Sequence, residues 1–251
     1  MHDLKGLTAV VTGGNGGLGL GLAAGLAEAG ADVAVWARNV EKSQAAVDEL
    51  REYGVQVEAV ACDVGDEDAV VRATAETVEK FGKIDCLVAN AGIATAAPYV
   101  DTSLDDWHRV LRTNLDGTFL CTREVARHMI ERGEGGSMII LSSTISRYGA
   151  SGQAAYAASK SGCAAIGRTL AVEMARHKIR CNVLIPGWVA TDMNVHLRAD
   201  ERFLDATTRR TPARRWATPD EFRSVAAFLA DPTLTFHTGN EVVVDGGYTI
   251  F

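Results

Sequence analysis

No stretch of this chain stays apolar for the roughly 20 residues that a bilayer crossing requires, so no membrane association is expected. Positive charge is scarce: 25 Lys and Arg face 32 Asp and Glu, a formal net charge of −7. A protein that neutralises a phosphate backbone needs a basic face, so no nucleic-acid partner is expected. Cysteine pairs are missing too. Cys62, Cys86, Cys121, Cys163 and Cys181 are odd in number and widely spread, with no C-x-x-C, which points to reduced thiols in a cytoplasmic protein. The six histidines show no i,i+4 pair, so no metal is expected. Linkers, charge blocks and repeats are absent from the 251 residues, and one domain spanning 1–251 is expected.

What the chain does have is alternation. Short β-branched runs at residues 7–12, 33–36, 55–61, 84–89, 137–141, 179–185 and 241–244 are separated by longer helical patterns. Residues 7–12 read as a first strand, not a signal peptide. One long helix is expected from the N-cap Ser103, with Asp106 three residues on, to about residue 132. Another is expected over 154–176. Thr218-Pro219-Asp220-Glu221 carries the start signals of a further helix, an N-cap, Pro at N1 and Glu at N3. Apolar strands alternating with helices predict an α/β, doubly wound parallel sheet of seven strands, covered on both faces. Ligands of such sheets sit beyond the carboxyl ends of the strands.

The loop after the first strand reads Thr12-Gly13-Gly14-Asn15-Gly16-Gly17-Leu18-Gly19. Glycines there let the backbone turn sharply and approach a pyrophosphate at a helix N-terminus. Two registers fit: Gly14, Gly16 and Gly19 as G-x-G-x-x-G, or Gly13, Gly17 and Gly19 as T-G-x-x-x-G-x-G. Either predicts a Rossmann-type dinucleotide site. About 20 residues further on, where an acid would hold a ribose 2′-hydroxyl, the chain reads Trp36-Ala37-Arg38-Asn39. A guanidinium forks onto phosphate oxygens, so Arg38 favours NADP over NAD, which remains the alternative.

Tyr156 and Lys160 lie four apart in an Ala-rich run, hence on one helix face. An ammonium one turn from a phenol favours the phenolate. Proton exchange near neutral pH requires such help from a group that starts near pKa ~10. Ser143, just past a strand, would offer its hydroxyl to the same substrate oxygen. The nearby Tyr148 has Gly152 four residues on, so no cationic partner is expected for it.

Taken together, these residues resemble the short-chain dehydrogenase/reductase family over nearly the whole chain. Thr12-Gly13-x-x-x-Gly17-x-Gly19 is similar to its cofactor loop and favours the second register. Asp63-Val64 resembles its adenine-contacting pair, and Asn90-Ala91-Gly92 its N-A-G motif. Asn114 matches its catalytic asparagine, Ser143, Tyr156 and Lys160 its serine and Y-x-x-x-K, and Pro186-Gly187 with Val189 and Thr191 its segment near the nicotinamide. Asn15 and Leu18 belong to the same cofactor loop. The resemblance implies an NAD(P)-dependent enzyme interconverting a secondary alcohol and a ketone. Tyr156 would act as general acid/base, Lys160 would bind the nicotinamide ribose, Ser143 would hold the substrate oxygen and Asn114 would support a proton path from Lys160. It also implies a dimer or tetramer, with faces over 103–132 and the Tyr156 helix and over 242–251. One departure is the lack of Lys or Arg at Asn15 or Gly16, where some NADP-preferring relatives are basic.

The substrate pocket is expected from residues 93–98, 145–152 and 188–215, the last an irregular, mobile lid. Between Asp192 and Arg215 six arginines face four acids, which reads either as solvated charges on the lid or as attraction for an anionic substrate such as a sugar acid or an acyl-carrier thioester. Trp188 would line the pocket, and Arg147 would either clamp a carboxylate or point to solvent. Small-molecule candidates are a sugar acid or polyol, a 3-oxoacyl thioester, or a cyclic ketone or steroid. The alternatives are a non-catalytic NADP-binding protein on the same fold and an epimerase or dehydratase.

Overall fold

Every one of the seven apolar runs becomes a strand of a single sheet. The computed structural model describes residues 2–251. In it β1 (Thr8–Thr12), β2 (Asp32–Ala37), β3 (Val57–Ala61), β4 (Cys86–Ala89), β5 (Gly136–Leu141), β6 (Ile179–Pro186) and β7 (Glu241–Val244) run parallel in the order β3-β2-β1-β4-β5-β6-β7. The chain winds outward from β1 to β3, then returns to lay β4 against β1 on its other side. At that reversal the loops after β1 and β4 part and leave a crevice at the carboxyl ends.

Helices α1 (Gly17–Glu28), α2 (Val40–Arg51) and α9 (Arg223–Ala230) pack one core against the sheet. Helices α3 (Glu67–Phe81), α5 (Gly117–Arg132) and α6 (Ala154–Met174) pack the other. Burial on both faces explains why the strands read as continuous apolar runs. Trp36 in β2 is fully buried because its one polar atom is satisfied: Nε1 donates to Thr77 Oγ1 at 2.9 Å.

Two stretches differ from the sequence-based expectation. Ser103 does cap α4 (Leu104–Leu111), accepting from the Asp106 amide at 3.0 Å. The helix does not run unbroken to residue 132, however. Arg112–Asp116 forms a π-turn before α5. At this point the helix meets the loop after β3: a side chain on Gly117 would lie 2.7 Å from Val64, and Arg112 reaches Asp63 at 3.2 Å. The widened turn brings Asn114 to a fully buried position beside the loop after β4. Such single π-turns concentrate at functional sites.

The second stretch is 188–215, which is not irregular. It holds a turn at Asp192–Asn194, α7 (Val195–Ala199) and α8 (Glu201–Arg210). Thr191 and Asn194 form a capping box, and Asp200 caps α8 by accepting from the Arg202 and Phe203 amides. Five and ten residues are too few to display a helical period convincingly, whereas caps act locally.

Candidate active site

The glycine loop is shaped by its partners. Gly13 and Gly17 take φ of +64° and +52°, a region that favours glycine. A side chain on Gly19 would stand 2.2 Å from the Gly13 carbonyl. Neither Gly14 nor Gly16 lies in the left-handed region, so the Gly13/Gly17/Gly19 register is the one that geometry requires. Thr12 Oγ1 accepts from the Asn90 and Ala91 amides, each at 2.9 Å, and Asn90 Nδ2 donates back to the Thr12 carbonyl at 2.9 Å. These bonds lock the loops after β1 and β4 together. Asn15 extends the lock sideways, donating to Ser43 Oγ at 3.1 Å and to the Asn39 carbonyl at 3.4 Å. Leu18 packs into the core below. Arg38 is exposed at the end of β2. Asp63 accepts from the Gly65 amide and pairs with Arg112, while Val64 is buried.

Across the crevice, α6 presents Tyr156 and Lys160. Lys160 is 4 % exposed and donates to the Leu141 carbonyl at 2.9 Å. Its Nζ is 5.9 Å from the Tyr156 ring centroid and 3.5 Å from where a side chain on Gly92 would begin. An ammonium carries three donors. Among the described residues Lys160 has no acidic partner. Ser142 Oγ donates to the Lys160 carbonyl at 2.8 Å and pins this turn of α6 to the end of β5. Ser143, half-buried in the next position, accepts from the Ile145 amide at 3.4 Å. Asn114 accepts from the Ile93 amide at 2.8 Å and donates to the Ile93 carbonyl and to Ser159 Oγ. The π-turn, the loop after β4 and α6 thus meet at one amide group.

A nicotinamide dinucleotide fits these residues. The N-terminus of α1 has no side-chain cap and no acid in its first turn, so its amides and dipole suit a pyrophosphate. The buried ammonium of Lys160 faces the side-chain-free Gly92. On the far side Gly187 donates to Val244, and a side chain there would strike Asp245 at 2.7 Å. This fixes the path from Pro186 past the buried Val189 to Thr191, whose Cβ would be 3.3 Å from a side chain on Gly17.

The substrate side departs further from expectation. Arg147 is not presented as a carboxylate clamp: it pairs with Glu241, which also holds Arg168 at 2.6 Å. Its charge is already matched by an acid on β7. Tyr148 does acquire a cation, from the distant Arg210, whose guanidinium lies 5.0 Å from the Tyr148 ring and 4.3 Å from that of Tyr248. Burial nonetheless pushes the Tyr148 hydroxyl up to about 12. Trp188 stacks on Trp216 at 4.8 Å and meets Phe203 edge-on at 5.3 Å. Its buried Nε1 has no hydrogen-bond partner among the described residues. Ser142, Ser159, Lys42 and Arg210 carried no positional signal in the sequence. They become relevant only because the fold brings them to residues that did.

The chain matches the family model described as enoyl-(acyl carrier protein) reductase over residues 13–249. It is 38 % identical over 250 residues to gluconate 5-dehydrogenase of Gluconobacter oxydans, covering 100 % of this chain and 97 % of the relative. To the 3-oxoacyl-[acyl-carrier-protein] reductase of Chlamydia pneumoniae it is also 38 % identical, covering 98 % of each. Its backbone superimposes on the crystal structure of a gluconate 5-dehydrogenase from Burkholderia cenocepacia in complex with NADP and tartrate, with a TM-score of 0.95 and 39 % identity over 99 % of this chain and 97 % of that one. The chain belongs to the short-chain dehydrogenase/reductase family. It is an NAD(P)-dependent oxidoreductase acting between a secondary alcohol and a ketone. Among the described residues no helix is long and apolar enough to cross a membrane.

Proposed function

We propose that the substrate is a sugar acid, oxidised or reduced at a secondary hydroxyl, with NADP preferred over NAD. The observation that carries the catalytic reading is the buried Lys160 ammonium, without an acidic partner, one helical turn from Tyr156. In reduction the Tyr156 hydroxyl gives its proton to the carbonyl oxygen, and in oxidation it takes the proton back. Ser143 donates a hydrogen bond to the same oxygen. Lys160 supplies positive charge beside the phenol as the proton leaves, without having to reorganise. Asn114 positions the loop after β4 and α6 through Ile93 and Ser159. The bound nicotinamide supplies or accepts the hydride. Arg38 would meet the 2′-phosphate, Thr12 to Gly19 the pyrophosphate, and Asp63, Val64, Asn90, Ala91, Pro186, Gly187, Val189 and Thr191 the remainder of the dinucleotide.

The sugar-acid reading draws on relatives named for gluconate and 2-dehydro-3-deoxy-D-gluconate. It draws equally on the Arg210 guanidinium held on two tyrosine rings and on the unpartnered indole N–H of Trp188. A carboxylate and several hydroxyls would match such donors. Segment 188–215 is read as the lid over this pocket. We further read the chain as a cytoplasmic dimer or tetramer. The exposed Tyr99, Val100, Leu104 and Phe119 near α4 and α5, and Phe236, Ile250 and Phe251 near β7, support self-association.

The test follows NADPH and NADH absorbance in both directions against sugar acids, polyols, 3-oxoacyl thioesters, steroids and cyclic ketones. Turnover is expected to be fastest with a sugar acid and NADP(H). Faster turnover of a 3-oxoacyl thioester would overturn the substrate assignment. Conversion with no net absorbance change would point instead to epimerisation.

A further inference from the structure

Gly16 differs from its neighbours in the loop. Its φ of 173° is ordinary extended backbone, so no strain demands glycine. The demand is for room. A Cβ at Gly16 would lie 2.5 Å from Lys42 Cε and 2.6 Å from Lys42 Nζ. Lys42 stands in the first turn of α2, whose N-cap Asn39 accepts from the Lys42 amide at 2.8 Å. Its side chain runs back over the glycine loop and ends on Asp192 at 2.8 Å. The cation missing from positions 15 and 16 of the loop is thus delivered to the same place from another element, 26 residues downstream of Gly16.

Geometry also says which ligand this cation would meet. Arg38 lies four residues before Lys42 at the end of β2, where the ribose of a dinucleotide lies relative to the glycine loop. A 2′-phosphate there carries close to two negative charges, and Arg38 alone supplies one positive charge. We infer that Lys42 is the second cation of the 2′-phosphate site, and that Asp192 is its resting counter-ion, which the phosphate displaces. This rests on the NADP reading above and deepens it. The exchange is feasible because the Lys42 and Asp192 side chains are 45 % and 81 % exposed, and an ion pair so open to solvent is weak. The hydrogen bond from Lys42 lowers the titration of the Asp192 carboxyl, so the competitor is an anion at neutral pH. Asp192 opens the first turn of segment 188–215 and follows Thr191 directly.

Isothermal titration with 2′,5′-ADP and 5′-AMP isolates the 2′-phosphate and requires no turnover. Lys42→Gln is expected to weaken 2′,5′-ADP about 10- to 30-fold, the worth of one charge-assisted contact, and to leave 5′-AMP within about twofold. Lys42→Arg should restore most of the loss. Asp192→Asn should tighten 2′,5′-ADP by up to about fivefold, the ceiling set by an exposed ion pair. Equal weakening of both nucleotides by Lys42→Gln would place Lys42 on the shared 5′-phosphate and overturn the assignment. So would an unchanged ratio between them. If the unsubstituted protein itself fails to prefer 2′,5′-ADP, the NADP reading falls. If it does prefer 2′,5′-ADP and Lys42→Gln leaves that preference intact, only the role of Lys42 falls.

Discussion

The two sides of the cleft are held together by different physics. On the cofactor side, the loops after β1 and β4 are joined by short backbone-directed hydrogen bonds through Thr12 and Asn90, and glycines stand wherever a Cβ would collide. On the substrate side, backbone hydrogen bonds pin only the ends of segment 188–215, Ala217 to Trp188 at 2.9 Å and Ala213 to Gly246 at 3.1 Å. Between those ends it is held by ring contacts among Trp188, Phe203, Trp216 and Tyr248, by Arg210 on tyrosine faces and by solvent-exposed ion pairs such as Arg215 with Glu221. Hydrogen bonds to backbone tolerate little displacement. Stacked rings slide and exposed ion pairs are weak. One side is therefore suited to a constant ligand, and the other can be re-lined for different substrates without disturbing the first.

The largest effect that tests this division comes from Tyr156, which faces both sides. Tyr156→Phe keeps the ring against Lys160 and removes the hydroxyl. Turnover should fall by about 10³-fold or more, within the range of positioned proton transfer. The dissociation constant for NADPH, read from its fluorescence, should stay within about threefold. Turnover near the original rate would refute the proton-transfer role. A collapse of cofactor affinity would mean that the hydroxyl belongs to the rigid side instead.

A smaller and more selective effect is expected from Trp216. Its ring is 8 % exposed, stacks on Trp188, and donates from Nε1 to Thr207 Oγ1 at 2.9 Å. Trp216→Ala removes the support beneath α8 and Trp188, at a cost of about 3 kcal/mol by analogy with other large-to-small core changes. KM for the substrate should rise about tenfold, while 2′,5′-ADP binds as before. A parallel loss of nucleotide affinity would show that the two sides are one cooperative unit.

The same contrast decides what could be read from the sequence. The glycine loop after the first strand and the Tyr156/Lys160 spacing were legible from residue type and local separation, whereas the choice of Gly13 and Gly17 over Gly14 and Gly16, and the importance of Asn90, came only from the family resemblance. A glycine-rich turn at a strand end and an i,i+4 pair are both statements about neighbours along the chain. The seven strands were legible for a similar reason, being apolar runs buried on both faces. The contacts of Lys42 with Asp192 and of Arg147 with Glu241 were not, since they join residues 150 and 94 positions apart. Nothing local distinguishes those arginines and lysines from solvated ones. The π-turn at Arg112–Asp116 escaped for an intermediate reason: it lies where Gly117 packs against Val64, a tertiary contact that the local helical sequence does not announce.

The smallest expected effect is also the finest discriminator between the two tyrosines that follow Ser143 in the chain, Tyr148 and Tyr156. Tyr148 has a guanidinium on its face, and a reading based on cation proximity alone would make it a rival to Tyr156. Burial outweighs that cation and pushes the Tyr148 hydroxyl up to about 12. The group is therefore neutral, with its proton on, throughout the range from pH 6 to 10 in which a dehydrogenase is assayed. A group that does not change protonation state in that range cannot produce a limb of the pH–rate profile there. Its contact with Thr144 Oγ1, at 3.5 Å, is also too long to hold much energy. Tyr148→Phe should thus leave the shape of the kcat/KM profile unchanged, with both limbs within about half a pH unit of the original, and alter KM about twofold at most. If the alkaline limb moves with Tyr148 and not with Tyr156, the proton passes through the residue next to Arg210, and the division of labour across the cleft has been drawn one loop too far toward the cofactor.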